Sequence, residues 1–191
     1  LGPHRLNASS RPGWFFQRRR HGGILNDIGS HQFDQFLAFT GSRQASVPLS
    51  RVANLHHPEY PEFEDFGEAL LSAEGCSGYL RVDWFTPQGL ASWGDTRLFI
   101  LGTEGFIEIR KNCDLEGRPG GNHLFLVDRK GTHRLDCTDV QLPYGRRLVE
   151  DILNRTQTAM DQAHCFRAAE LALQAQARAV REATLVQAQE E

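Results

Sequence analysis

The sequence predicts an α+β fold, an open and mainly antiparallel sheet with helices packed on one face. Three observations carry that prediction. Apolar residues recur at steps of three or four between Leu25 and Phe39, the period of a helix with one buried side. The same period returns beyond Gln162. Between these two stretches lie short apolar runs separated by glycine-containing turns, the pattern of successive hairpins. Helices flanking a hairpin sheet bury their apolar stripes against it, which gives the layered arrangement.

A chain of 191 residues suits one good core, so residues 1–191 read as a single domain. Its parts are an irregular arm over 1–21, a helix over 22–41, a sheet over 44–136 and C-terminal helices over 142–186. Pro3, Pro12 and small polar residues make the arm irregular. The helix runs from about Gly23 to Thr40 and closes on Gly41, which can take the left-handed conformation of a C-cap. Leu25, Ile28, Phe36 and Phe39 are expected on its buried side.

Gln44 to Asn54 reads as a strand with Ala45, Val47, Leu49 and, after a slip of period, Val52 facing inward. Pro48 requires an edge position or a bulge. His56-His57-Pro58 opens a proline-bounded surface loop. Its paired histidines sit beside carboxylates, but neighbours in extended chain point apart, which does not suit a metal. Strands are then expected over 66–72, 78–85, 96–101, 106–110, 123–127 and 132–136, and adjacent hairpins make the sheet antiparallel. Leu98, Ile100, Leu124 and Leu126 alternate with Phe99, Leu101, Phe125 and Val127. Such strands are apolar on both faces, so a second copy of the chain is expected to cover one of them, giving a homo-oligomer. In the last helix Phe166, Ala169, Leu173, Ala177 and Val180 mark the expected buried stripe.

Composition limits the partners. With 40% hydrophobic and 24% charged residues and a formal charge of −3, the chain is an ordinary globular protein with no nucleic-acid partner expected. The cluster Trp14-Phe15-Phe16-Gln17-Arg18-Arg19-Arg20 could stack on bases, but one such cluster in an acidic chain reads as a loop. Cys76, Cys113, Cys137 and Cys165 show no metal or redox spacing and fit a reducing cytoplasm. No apolar run approaches the length of a membrane span, and Leu1-Gly2-Pro3-His4 lacks the form of a signal peptide. A cytoplasmic protein with no membrane partner is expected.

The chemistry gathers on the first helix. At helical spacing Asp27, His31 and Asp34 share a narrow arc away from Leu25, Phe36 and Phe39. An imidazole one turn from a carboxylate can be held in one tautomer, which suits proton transfer with a substrate hydroxyl. A solvated polar face with an ordinary i,i+4 pair explains the same spacing. A metal has two ligands here and no clear third.

The string Gly22-Gly23-Ile24-Leu25-Asn26-Asp27-Ile28-Gly29-Ser30-His31-Gln32-Phe33-Asp34 resembles the Gly-Gly-x-Leu-x-Asp-x-Gly-x-His-x-x-Asp signature of the glucose-fructose oxidoreductase and inositol dehydrogenase (Gfo/Idh/MocA) family. Leu101 to Ile109 is similar to the family's hairpin, and Asp151 to Thr156 to the start of its last helical section. The resemblance implies the C-terminal, substrate-binding and oligomerisation domain of an NAD- or NADP-dependent dehydrogenase acting on a sugar or polyol. It implies His31 as catalytic acid/base, Asp27 as its catalytic partner, and Trp14, Asn26 and Asp34 as substrate contacts. The family's Gly-x-Gly-x-x-Gly loop and Glu-Lys-Pro lysine, which belong to an N-terminal Rossmann domain, do not occur in this chain. The cofactor is therefore expected to be held outside it, with none bound by the chain alone. A stand-alone binding or assembly module that has lost the chemistry is the competing expectation.

Overall fold

A computed structural model describes residues 6–90 and 92–182. The chain forms two compact units, one of Leu6–Phe85 with the chain from Tyr144 onward, the other of Thr86–Pro143. Each has its own four-stranded sheet. The predicted fold class stands, with the strands divided between two sheets where one was expected.

In the first unit, β1 (Ala45–Ala53), β2 (Phe66–Ala73), β3 (Cys76–Asp83) and β8 (Val180–Glu182) take the order β3-β2-β1-β8. The pairs β1–β2 and β2–β3 are antiparallel, and β8 adds to β1 in parallel. The register of β1 against β2 shifts between Ser46 and Leu49, the irregularity that Pro48 demands. Because the slip falls there, Leu49 turns outward at 54% exposure and Ser50 takes the inward place. The expectation of an inward Leu49 is corrected. On the outer face Arg51 pairs with Glu68 and Glu182, and the Arg51 and Arg81 guanidiniums cover the Phe66 ring.

Helices α1 (Arg18–His21), α2 (Ile24–Asp27), α3 (Ser30–Thr40), α4 (Tyr144–Asn154) and α5 (Gln162–Arg178) belong to this unit. The predicted single helix over 22–41 is two, broken at Ile28-Gly29. The Gly29 N–H donates to the Ile24 carbonyl at 3.0 Å, and a Cβ on Gly29 would lie 2.6 Å from the Leu25 carbonyl oxygen. Only glycine lets the backbone turn so tightly there. Gly41, at φ 66°, does end α3.

The buried row runs at steps of four through Leu25, Gly29, Phe33 and Leu37. Phe33 and Leu37 are the core residues of α3, while Phe39 is 54% exposed. Complete burial of a ring such as Phe33 contributes about 1.5–3 kcal/mol. In α5 the buried side is Ala168, Leu171, Ala172, Ala175 and Gln176, and the stripe expected from Phe166 and Leu173 faces outward. Close approach decides this. Ser50 on β1 donates its hydroxyl to the Ala175 carbonyl at 2.7 Å, a spacing that admits alanines and excludes bulky side chains. Val180 is not helical; it opens β8.

The arm supplies an aromatic cluster. Phe15 and Phe16 are buried against Phe63, and Phe15 also meets the fully buried Trp84. The loop beyond β1 is tied down as well, which corrects the surface reading of His57. Asp65, with no exposure, accepts the Leu55 and His56 N–H groups at 2.8 Å and lies 2.9 Å from His57 Nδ1.

The second unit is a meander of β4 (Arg97–Leu101), β5 (Gly105–Arg110), β6 (His123–Asp128) and β7 (Gly131–Leu135), antiparallel throughout. Register places Leu98, Ile109, Leu124 and Leu135 in one row and Ile100, Ile107 and Leu126 in the next, all on one face. Phe99, Phe106, Phe125 and Val127 are on the other, where Phe99 is 58% exposed. The described helices belong to the other unit.

Candidate functional site

The site is built around the turn from α2 to α3. Gly22 and Gly23 precede it at φ 93° and 88°, and Gly23 has ψ 162°, a conformation essentially reserved for glycine. A Cβ on Gly23 would stand 2.6 Å from Gln176 Oε1. That space is taken by the Gln176 amide for a reason: the Leu25 N–H donates to Gln176 Oε1 at 3.0 Å, and Gln176 Nε2 donates to both oxygens of Glu64 at 3.1 and 2.8 Å. Glu64 Oε2 in turn accepts the Ile24 N–H at 3.1 Å. The free N–H groups at the start of α2 are thus satisfied by buried side chains from two other parts of the chain, and a carboxylate there also complements the helix dipole. Arg181 Nη2, 3.8 Å from Glu64 Oε1, adds a compensating charge.

From this fixed start the motif residues go to different places. Asp27 is exposed, and its Oδ2 lies 3.2 Å from His21 Nε2. No hydrogen bond or ion pair joins Asp27 to His31 among the described residues, although Ile28 and Gly29 keep right-handed helical backbone across the interruption. His31 is exposed at the start of α3, and no hydrogen bond or ion pair holds its ring among the described residues. Asn26 donates to the Gly22 carbonyl at 2.7 Å and leaves its Oδ1 without a donor. Asp34 Oδ1 lies 2.7 Å from His164 Nε2 on α5. Together they line a cleft of about 640 Å³ with Leu37, Arg43, Met160 and Arg167. Neither Asp27 nor His31 lines it. Trp14 is 41% exposed, its ring centroid 6.4 Å from that of Phe15.

Sequence reasoning did not single out His21, Glu64, Gln176 or His164. Glu64 and Gln176 are 40 and 151 residues from the backbone groups they bind, so no local pattern marks them. His21 adjoins the glycine pair, but its position in the sequence does not show which group its ring meets.

Further along, Asp151 at the end of α4 accepts the Thr156 and Thr158 hydroxyls and the Thr158 and Ala159 N–H groups. The Thr156 hydroxyl foremost, then these amides, hold its carboxyl well below the usual range. This ties down the turn in which Arg155 takes φ 57°.

Neither glycine pair of the described residues forms a phosphate cradle. The backbone beside Gly23 is filled by the chain's own Gln176, and Gly121 faces the Lys111 carbonyl, so neither pair offers a cradle of free N–H groups to phosphate. Among the described residues no group of three or more histidine, cysteine or acidic side chains could hold a metal ion. Nor is any described helix long and apolar enough to cross a membrane.

Fold and site together define an α+β domain that presents an acid and an imidazole on a glycine-broken helical turn. The chain belongs to the GFO/IDH/MocA C-terminal domain family, whose model matches residues 2–108. A presumed oxidoreductase from Erwinia carotovora atroseptica SCRI1043 is 51% identical, with a TM-score of 0.86 over 90% of this chain and 52% of its own. One from Thermotoga maritima shares the fold at 22% identity, with a TM-score of 0.77 over 89% of this chain and 49% of its own. The chain spans about half the length of these structures. A comparison with curated proteins finds no match.

Proposed function

We propose that the chain is the substrate-binding and oligomerisation part of a nicotinamide-dependent oxidoreductase acting on a sugar, polyol or related hydroxy compound. The observation that carries this reading is the His31 imidazole, exposed and unengaged at the head of a helix whose approach is fixed by Glu64 and Gln176. A group that must exchange a proton with a substrate hydroxyl needs a free nitrogen on a rigid support. His31 takes that proton, and the Asp27 carboxylate holds a neighbouring hydroxyl. Asn26, through its unsatisfied Oδ1, and Trp14 are further substrate contacts. Asp34 reaches the substrate only if its bond to His164 is exchanged. The cofactor, NAD or NADP, belongs to the remainder of the longer protein.

The test is made in that longer protein. His31→Ala should lower kcat by about a hundredfold or more, the range for loss of a general acid/base. Folding should be unaffected because the side chain is exposed. An unchanged kcat and pH profile removes His31 from the mechanism and favours a non-catalytic module.

A further inference from the structure

We propose that His21 is a positioning residue for Asp27, setting the direction of its carboxylate from behind the site. The proposal rests on the reading of Asp27 and His31 as the reacting pair and adds a residue that the signature does not contain. His21 ends α1, and Gly22 at φ 93° turns the chain so that the imidazole comes back over the start of the motif. The side chain is only 8% exposed, and its Nε2 lies 3.2 Å from Asp27 Oδ2. Phe15 packs edge-on against the ring at 4.5 Å, and the Arg11 guanidinium lies over the Phe15 ring at 4.4 Å. Phe15 itself is buried with Phe63 and Trp84. The imidazole is thus wedged between a rigid aromatic cluster and one carboxylate.

Geometry gives this pair its meaning. The Asp27 side chain is 41% exposed and one carboxylate oxygen faces His21, which leaves the other for substrate. A carboxylate opposite Nε2 selects the tautomer with the proton on Nε2, since a bare nitrogen there would face an acceptor. The current separation is a charge–dipole contact and not a well-aligned hydrogen bond, because Nε2 has no partner of good angle. Rotation of either side chain on substrate binding can complete it. Asp27 is the charged group that the contacts place against the ring, and Arg18, Arg19 and Arg20 precede His21 on α1.

The first experiment reads the His21 ring directly, in this chain, by long-range proton–nitrogen NMR correlation. The protonated-nitrogen signature is expected at Nε2. In Asp27→Ala, which should fold because the residue is exposed, that preference is expected to be lost. In Asp27→Asn, which keeps an oxygen acceptor, it is expected to survive. Identical His21 ring signals in the wild type and Asp27→Ala overturn the proposal. The second experiment is kinetic, in the longer protein: His21→Phe retains the packing on Phe15 and should lower kcat about tenfold with KM little changed, as expected for a misdirected group. His21→Gln, which retains a donor, should recover most of the loss, and equal kcat in all three proteins overturns the proposal. The two readings fail separately. Full activity of His31→Ala defeats the acid/base assignment but leaves the NMR result for His21 and Asp27 untouched.

Discussion

Replacing Gly23 by alanine tests the clamp that positions the motif. At φ 88° and ψ 162° a non-glycine residue bears strain of about 1–3 kcal/mol. The new Cβ would also displace the Gln176 amide, since it would lie 2.6 Å from Oε1. That leaves the Leu25 N–H and one side of buried Glu64 without partners, a further cost of about 1–3 kcal/mol. The central expectation is a loss of about 4 kcal/mol, or about 8–16 °C in Tm for a chain of this size. Urea and thermal unfolding followed by circular dichroism would measure it. Gln176→Ala supplies the internal control. It loses the same hydrogen bonds by itself and also makes room for the methyl group, so Gly23→Ala with Gln176→Ala should fall short of additivity by about 1–3 kcal/mol. A Gly23→Ala variant within about 0.5 kcal/mol of the wild type, or strict additivity, would refute the reasoning.

Three other outcomes are expected. Asp151 has a depressed carboxyl pKa in the folded chain, so its contribution to stability is present above the ordinary aspartate range and is lost as pH falls through the folded value. Asp151→Ala should therefore lower Tm at pH 7 and differ less from the wild type as the solution is made strongly acidic; an equal deficit at both ends would contradict this. The aliphatic face formed by Leu98, Ile100, Ile107, Ile109, Leu124 and Leu126 should bring two copies together, and sedimentation at micromolar concentration would show a dimer or larger species; a stable monomer ends that proposal. Calorimetry should detect no binding of NAD(H) or NADP(H) by this chain at submillimolar concentration, and tight binding would mean that the cofactor site was assigned to the wrong part of the protein.

The sequence by itself determined the local features. Alternation and turn residues located the strands because each hairpin is a short-range event; Asp128 at the β6–β7 turn accepts the Lys130 and Gly131 N–H groups within three residues. Gly41 announced the end of α3, and the signature announced the family. Tertiary structure decided whatever depended on contact between distant residues. Which side of α5 is buried was set by the close approach of Ala175 to Ser50, 125 residues away, and hydrophobicity alone pointed to the opposite side. The partner of Asp27 was decided in the same way. Helical spacing offered His31, whereas the contact that the fold makes is with His21, which the aromatic cluster around Phe15 holds against the carboxylate. Gly29, whose missing Cβ leaves room for the Leu25 carbonyl, marks the place where the helix is interrupted, a close approach that periodicity does not report.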